Sequence, residues 1–418
     1  MREEKTNRER RRRRRVRNQM LAYLTLLILI VLVLVAGYFG VRYIIDYVNK
    51  YNDKVNRFIE EAESSASQES NSEINDAETQ ESGIQYEEGY TTPVADDQLK
   101  QLVESLLGEM TMEEMVAGMF IVSPESITGV ETAIQAGEGT QTAITENPVG
   151  GIVYASKNFK SQEQFKQMIT NTRGFSKYPL FTVVQAECGT TAFGLDETPK
   201  AAKLTDANQV VQAYGSIASK LASYGVNMDL APIAEISPEE YAFGTDASAT
   251  ALLVNASVQA IQSAEISAVL LKFPSISAES KSLEELKNNE FIVYDAAIKS
   301  GVDCIMISHV KANNITGEDM PSSFSSAVIQ DLLRKTLGFN GVVITDSLSN
   351  STIVDNYNSA EAAVAAVQAG ADLLLEPAEY EEAYKGVLQA VSDGTITKER
   401  IYESLYRIYR VKYKNALE

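Results

Sequence analysis

The chain has 418 residues and a formal net charge of -20, which disfavours nucleic acid as a partner because phosphate backbones recruit Lys and Arg. One histidine, His309, and two cysteines, Cys188 and Cys304, fall short of the three or four such ligands a zinc centre uses. No metal and no other cofactor is expected, and both thiols read as buried and free.

In chain order, Arg10 to Arg15 form an uninterrupted block and residues 18–41 carry no charged side chain. A bilayer core is crossed by about 20 apolar residues, so 21–41 is predicted to be a transmembrane helix. Arginine flanks stay cytoplasmic, which puts 1–20 inside and the rest of the chain outside. The apolar run exceeds the roughly 7 to 15 residues of a signal-peptide core, favouring an uncleaved anchor. Residues 42–97 read as a juxtamembrane stalk and an acidic linker. Within it, 60–97 hold twelve acidic residues and no Lys or Arg, too little apolar surface to offset the entropy of ordering.

From residue 98 the pattern changes. Short apolar runs at 119–122, 151–154, 180–185, 226–230, 268–273, 303–308, 341–345 and 372–375 read as buried parallel strands. Helical periodicity lies between them, as at 209–224, 283–300 and 323–337, and 398–413 reads as a closing helix. Thr111 to Glu114 fits a capping box. Eight β/α units over about 300 residues, without a G-x-G-x-x-G fingerprint, predict a TIM-like (β/α)8 barrel rather than an open dinucleotide-binding sheet.

The C-terminal ends of barrel strands converge on one face. Here they offer Glu187, Asp229, Glu235, Lys272, His309, Asp346 and Glu376. Carboxylates facing each other across a cleft suit glycoside hydrolysis. Asp346, which closes the run Gly341-Val342-Val343-Ile344-Thr345, is either the nucleophile of such a site or the N-cap of the next helix.

The order of MTMEEMVAGMF (110–120), GGIVYASKN (150–158), GVNMDLAPIAEIS (225–237), MISHV (306–310), MPSSFS (320–325), LRKTLGFNGVVITDSL (333–348) and AGADLLLEP (369–377) resembles glycoside hydrolase family 3. More narrowly, it is similar to the single-domain β-N-acetylglucosaminidase (β-N-acetylhexosaminidase) branch. The resemblance covers 98–418. It implies a TIM-like barrel and a retaining mechanism with Asp346, at the family's TD position, as nucleophile. It also implies a sugar pocket around Gln185, Glu187, Asp229, Lys272 and His309.

The chain departs from that pattern in four places. The family's D-x-E-G-G-x-V-x-R becomes Gln185 to Phe193, with only Glu187 and Gly189 matching, and K-H-F-P-G-H-G becomes Leu271 to Ser277, which keeps Phe273-Pro274. The arginine before S-F-G is replaced around Tyr241 to Gly244, and the acid motif D-S-H becomes Glu279-Ser280-Lys281. A lysine of ordinary pKa, about 10.4, is a poor acid at neutral pH unless burial lowers it, while Glu279 serves only if desolvation raises its pKa. Two readings follow. One is a membrane-anchored, extracytoplasmic, β-N-acetylhexosaminidase-like retaining hydrolase of weak or altered activity, acting on a glycan or amino sugar, peptidoglycan fragments included. The other is a noncatalytic, membrane-tethered glycan-binding or scaffold protein of the cell envelope. A serine hydrolase built on His309 lacks the G-x-S-x-G elbow.

Overall fold

The computed structural model describes residues 93–414. The arginine block, the apolar run 21–41 and the linker up to residue 92 lie outside the described residues. Among those described, no helix is long and apolar enough to cross a membrane.

The apolar runs form eight parallel strands: β1 (Phe120–Val122), β2 (Gly151–Val153), β3 (Phe181–Val184), β4 (Met228–Asp229), β5 (Ser267–Phe273), β6 (Cys304–Ile307), β7 (Val342–Thr345) and β8 (Leu374–Leu375). From β1 to β7 each pairs with the next in sequence, and β8 pairs with β1. The ring closes between β7 and the residue before β8. There Ile344 bridges Leu373, with Thr345 N donating to Leu373 O at 3.0 Å and Leu373 N to Val343 O at 3.0 Å. This is the expected TIM-like barrel, filled by Ile121, Phe181, Val183, Met228, Val269, Met306, Ile344 and Leu375.

Most strands are shorter than the apolar pattern suggests, and two, β4 and β8, keep only two residues. Beyond Asp229 the ladder continues only as single contacts, Leu230 N donating to Val184 O at 2.8 Å and Ile233 bridging Leu271, so β4 keeps two residues. Asp372 does not extend β8 in the regular manner. Its Oδ2 instead accepts from Val343 N at 2.9 Å and from Arg334 at 2.6 Å. Arg407 and Ser404 of the closing helix Lys398–Tyr413 reach its Oδ1 at 3.2 and 2.8 Å. This fully buried carboxylate ties the last helix to the N-terminal end of the barrel, the face that serves stability. Beside it, Gly341 is required by packing, because a Cβ there would stand 2.5 Å from Asp303 O.

The helices also refine the sequence reading. Ala207–Tyr224 starts on Asp206, whose side chain caps Gln209 N, and stops at Gly225, whose φ of 92° suits glycine. The predicted helix 283–300 is two pieces, Leu283–Lys287 and Glu290–Lys299, broken at Asn289, whose φ and ψ are not helical. The predicted 323–337 helix begins only at Ala327 and winds as a π-helix to Thr336. The serines before it serve the loop instead, Ser322 Oγ donating to Val310 O at 2.6 Å. The capping box at Thr111 forms as read.

Candidate active site

The strand ends open into a cleft of about 520 Å³, lined by residues from all eight strands or the loops that follow them. Asp346 stands in it directly after β7. Its N–H donates to Ile307 O at 2.9 Å, and its Oδ1 accepts from Ser347 N at 2.8 Å. The N-cap assignment does not hold, because the next helix, Ser351–Val354, is capped by Asn350. Asp346 is thus left with one oxygen, Oδ2, facing no hydrogen-bond donor among the described residues.

His309 is buried just below and does not line the cleft. Its Nε2 lies 3.0 Å from Ser347 O, and its Nδ1 lies 2.8 Å from Ser323 Oγ. A carbonyl only accepts, so Nε2 carries the proton and Nδ1 accepts from the serine hydroxyl. Burial pushes the imidazole pKa down, against the opposing pull of Ser347 O and Asp346. The neutral ring therefore braces the residue after Asp346.

Lys272 lines the cleft from β5, where the register with β6 slips between Leu270 and Phe273. Its φ of 70° is uncommon for a side-chain-bearing residue. The irregularity brings both Leu271 and Lys272 to the cleft wall. The ammonium lies 3.3 Å from Glu235 Oε2 and 4.6 Å from the Tyr241 ring centre, a cation–π arrangement.

Gln185 lines the cleft and is exposed, whereas Glu187 and Asp229 sit behind it. Asp229 Oδ1 accepts from Ala186 N at 2.9 Å, so this carboxyl holds the backbone that presents Gln185. Tyr214 donates to Glu187 Oε2 at 2.6 Å. The other oxygens of the pair, Glu187 Oε1 and Asp229 Oδ2, are buried without a hydrogen bond. Burial pushes Glu187 up to about 7, although Tyr214, backbone N–H groups and the Lys272 charge all pull it down. Burial and the neighbouring Glu187 raise Asp229 well above the carboxylate range. A carboxyl at each position keeps its proton more readily than in water.

The acid-loop residues stand elsewhere. Glu279 is exposed at the end of a short turn, its carbonyl accepting from Asn314 Nδ2 at 2.9 Å. Lys281 Nζ lies 3.4 Å from Glu290 Oε1, a carboxylate that is only 2% exposed. Neither residue lines the cleft.

Three cleft residues escaped the strand-end inventory, which began at the third strand. Glu125 follows β1, and Lys157 and Asn158 follow β2. Asn158, fully buried, donates to Glu125 Oε1 at 2.7 Å and to Ala133 O at 2.8 Å. Lys157 lies 3.5 Å from Glu125 Oε1. Burial works to raise the Glu125 carboxyl, but Ala133 N–H, Asn158 and Lys157 hold it below its ordinary value. The signal that marks all three is their place just after the apolar runs ending at Val122 and Val153.

Glu376, directly after β8, completes the wall. Burial raises its carboxyl pKa; the Lys157 charge opposes this, and Glu125 and Asp346 add to it. Cys304 is buried and Cys188 half-buried, both as free thiols.

A family model described as the glycosyl hydrolase family 3 N terminal domain matches residues 99–411. A β-N-acetylglucosaminidase/β-glucosidase of Cellulomonas fimi is 24% identical over 356 residues, covering 72% of this chain and 62% of that protein. A β-hexosaminidase of Psychromonas ingrahamii is 28% identical over 256 residues, covering 54% of this chain and 75% of its own. The solved structure of a glycoside hydrolase family 3 β-N-acetylglucosaminidase from a Paenibacillus species superposes with a TM-score of 0.67 at 28% identity, covering 74% of this chain and 63% of that one. The chain spans less than two thirds of the length of the Cellulomonas and Paenibacillus relatives. With its eight-stranded barrel, its cleft at the strand ends and a family match across most of its length, the chain belongs to glycosyl hydrolase family 3.

Proposed function

We propose that this chain is a retaining glycosidase acting on β-linked amino sugars of the N-acetylhexosamine type, anchored to a membrane through 21–41 with its barrel on the extracytoplasmic side. The observation that carries the catalytic reading is Asp346, which lines the cleft at the end of β7 and is held by Ser347 N–H through one oxygen. In the first step Asp346 Oδ2 bonds to the anomeric carbon as the glycosidic C–O bond breaks and the leaving oxygen takes up a proton. In the second, water attacks the same carbon, releases the carboxylate and restores the original anomeric configuration. Lys272 and Gln185, which line the same cleft, supply hydrogen bonds to the sugar.

Peptidoglycan fragments are a substrate class that suits an extracytoplasmic barrel. A nitrophenyl N-acetyl-β-glucosaminide tests the reading, because its leaving group departs without protonation. The full chain is expected to give a burst of nitrophenol, and Asp346→Asn to lose on the order of 10³-fold or more in turnover. Glycan binding with no burst, unchanged in Asp346→Asn, would instead establish the noncatalytic binding protein.

A further inference from the structure

Cleavage of an unactivated glycosidic bond needs a proton for the departing oxygen. Among the described residues the candidates are few. Glu279 and Lys281 stand outside the cleft, and Lys281 is paired with Glu290. His309 has Nε2–H committed to Ser347 O and Nδ1 to Ser323. Glu125 is held ionised by its donors and Lys157. Glu187 gives Oε2 to Tyr214, buries Oε1 and does not line the cleft. Glu376 remains, and its carboxyl makes no hydrogen bond or ion pair among the described residues.

Its position is set by the two neighbouring strands, β1 and β7. Glu376 N donates to Ile121 O of β1 at 2.8 Å. On the other side Leu375 N donates to Thr345 Oγ1 at 3.1 Å, and Leu348 N to Leu375 O at 2.9 Å. Asp346 therefore lies beside Leu375, and Glu376 is the next residue. Its φ of 43° turns the chain out of the strand at that point. Asp346 and Glu376 thus line the same cleft from neighbouring strand ends, the arrangement in which one carboxyl attacks and the other carries the proton in a retaining pair.

We infer that Glu376, given Asp346 as nucleophile, is the proton donor of the first step and the proton acceptor of the second, in place of the loop residues 279–281. As the C–O bond breaks, the Glu376 proton passes to the leaving oxygen and Asp346 Oδ2 forms the ester to the anomeric carbon. Water then attacks that carbon, its proton passes to the Glu376 carboxylate, and the ester breaks. Burial and the charges of Glu125 and Asp346 keep the Glu376 proton on to higher pH than for an ordinary glutamate, against Lys157. Esterification removes the Asp346 charge, which lowers the Glu376 pKa when it must act as base.

The test compares leaving groups in the full chain. Glu376→Gln is expected to lose about 10²- to 10⁴-fold in kcat/KM on an N-acetylglucosaminide with an alkyl or sugar leaving group. On the dinitrophenyl glycoside the first step, and so the burst, should survive. The alkaline limb of the wild-type pH–rate profile should vanish in the variant. Glu376→Ala with added azide should yield the β-glycosyl azide, an outcome that a merely misfolded variant cannot give. A uniform loss on both leaving groups with no azide product would overturn the inference, as would no loss on either. In each of those cases a wild-type burst that depends on Asp346 leaves the proposed function standing. Absence of that burst removes the nucleophile, and the inference with it.

Discussion

Among the cleft-side residues, Glu187 gives the fold a pH dependence of definite sign. Its folded pKa of about 7 lies above the unfolded value of about 4.3, so the native state holds a proton that the unfolded chain releases. Stability from this group is fully present below the unfolded pKa and is lost as pH rises through 7. Asp229, raised in the same direction, adds to the slope. Glu187→Gln is therefore expected to flatten the fall in denaturation midpoint between pH 5 and pH 8. Identical slopes in the two proteins would mean that water reaches Oε1 and relieves the burial. The cleft residues were legible in part. Asp346, Lys272, Gln185 and Glu376 are strand ends, so the apolar pattern finds them. That Glu187 and Asp229 turn behind Gln185 depends on Tyr214, 27 residues further on, and no local pattern carries that information.

At the scale of elements, the segment from Ser275 to Lys281 decides whether the family's acid position is usable. Ser275 Oγ caps the turn Ile276–Glu279 by accepting from Ser277 N. Lys281 is then drawn to Glu290 at the start of the helix Glu290–Lys299. That helix exists as a separate piece because Asn289 breaks the predicted run, and the break brings a buried carboxylate to Lys281. A histidine at this position has no path to the cleft. Lys281→His is expected to leave kcat on an unactivated glycoside within about twofold, far from the 10²-fold or more that an effective acid supplies. It should also lower stability by about 1 kcal/mol or more, because Glu290 loses its cation. A large gain in kcat would show that the loop swings over Asp346. The barrel strands were legible because apolar, β-branched runs between helical segments admit few alternatives. The π-helix Ala327–Thr336 was not, since its sequence keeps a helical apolar face and the change of winding follows from tertiary packing.

At the scale of the whole molecule, the barrel is closed at its base by Asp372 among Arg334, Arg400 and Arg407 and open at the strand ends, so stability and chemistry occupy opposite faces. The proposed anchor adds an outside and an inside. Protease added to intact cells should release the barrel by cutting within 60–97, while complete protection would place the barrel in the cytoplasm and remove the topology. Neither the tether nor the membrane was decided by the fold; both rest on the charge asymmetry around 21–41. The central claim is that Asp346 becomes covalently glycosylated. The most direct measurement is peptide mapping of the full chain after incubation with a fluorinated, activated N-acetylglucosaminide that slows the second step. One sugar adduct is expected on the peptide carrying Asp346, absent in Asp346→Asn. An adduct on another carboxylate, or turnover of the unfluorinated glycoside with no adduct at all, would contradict that claim.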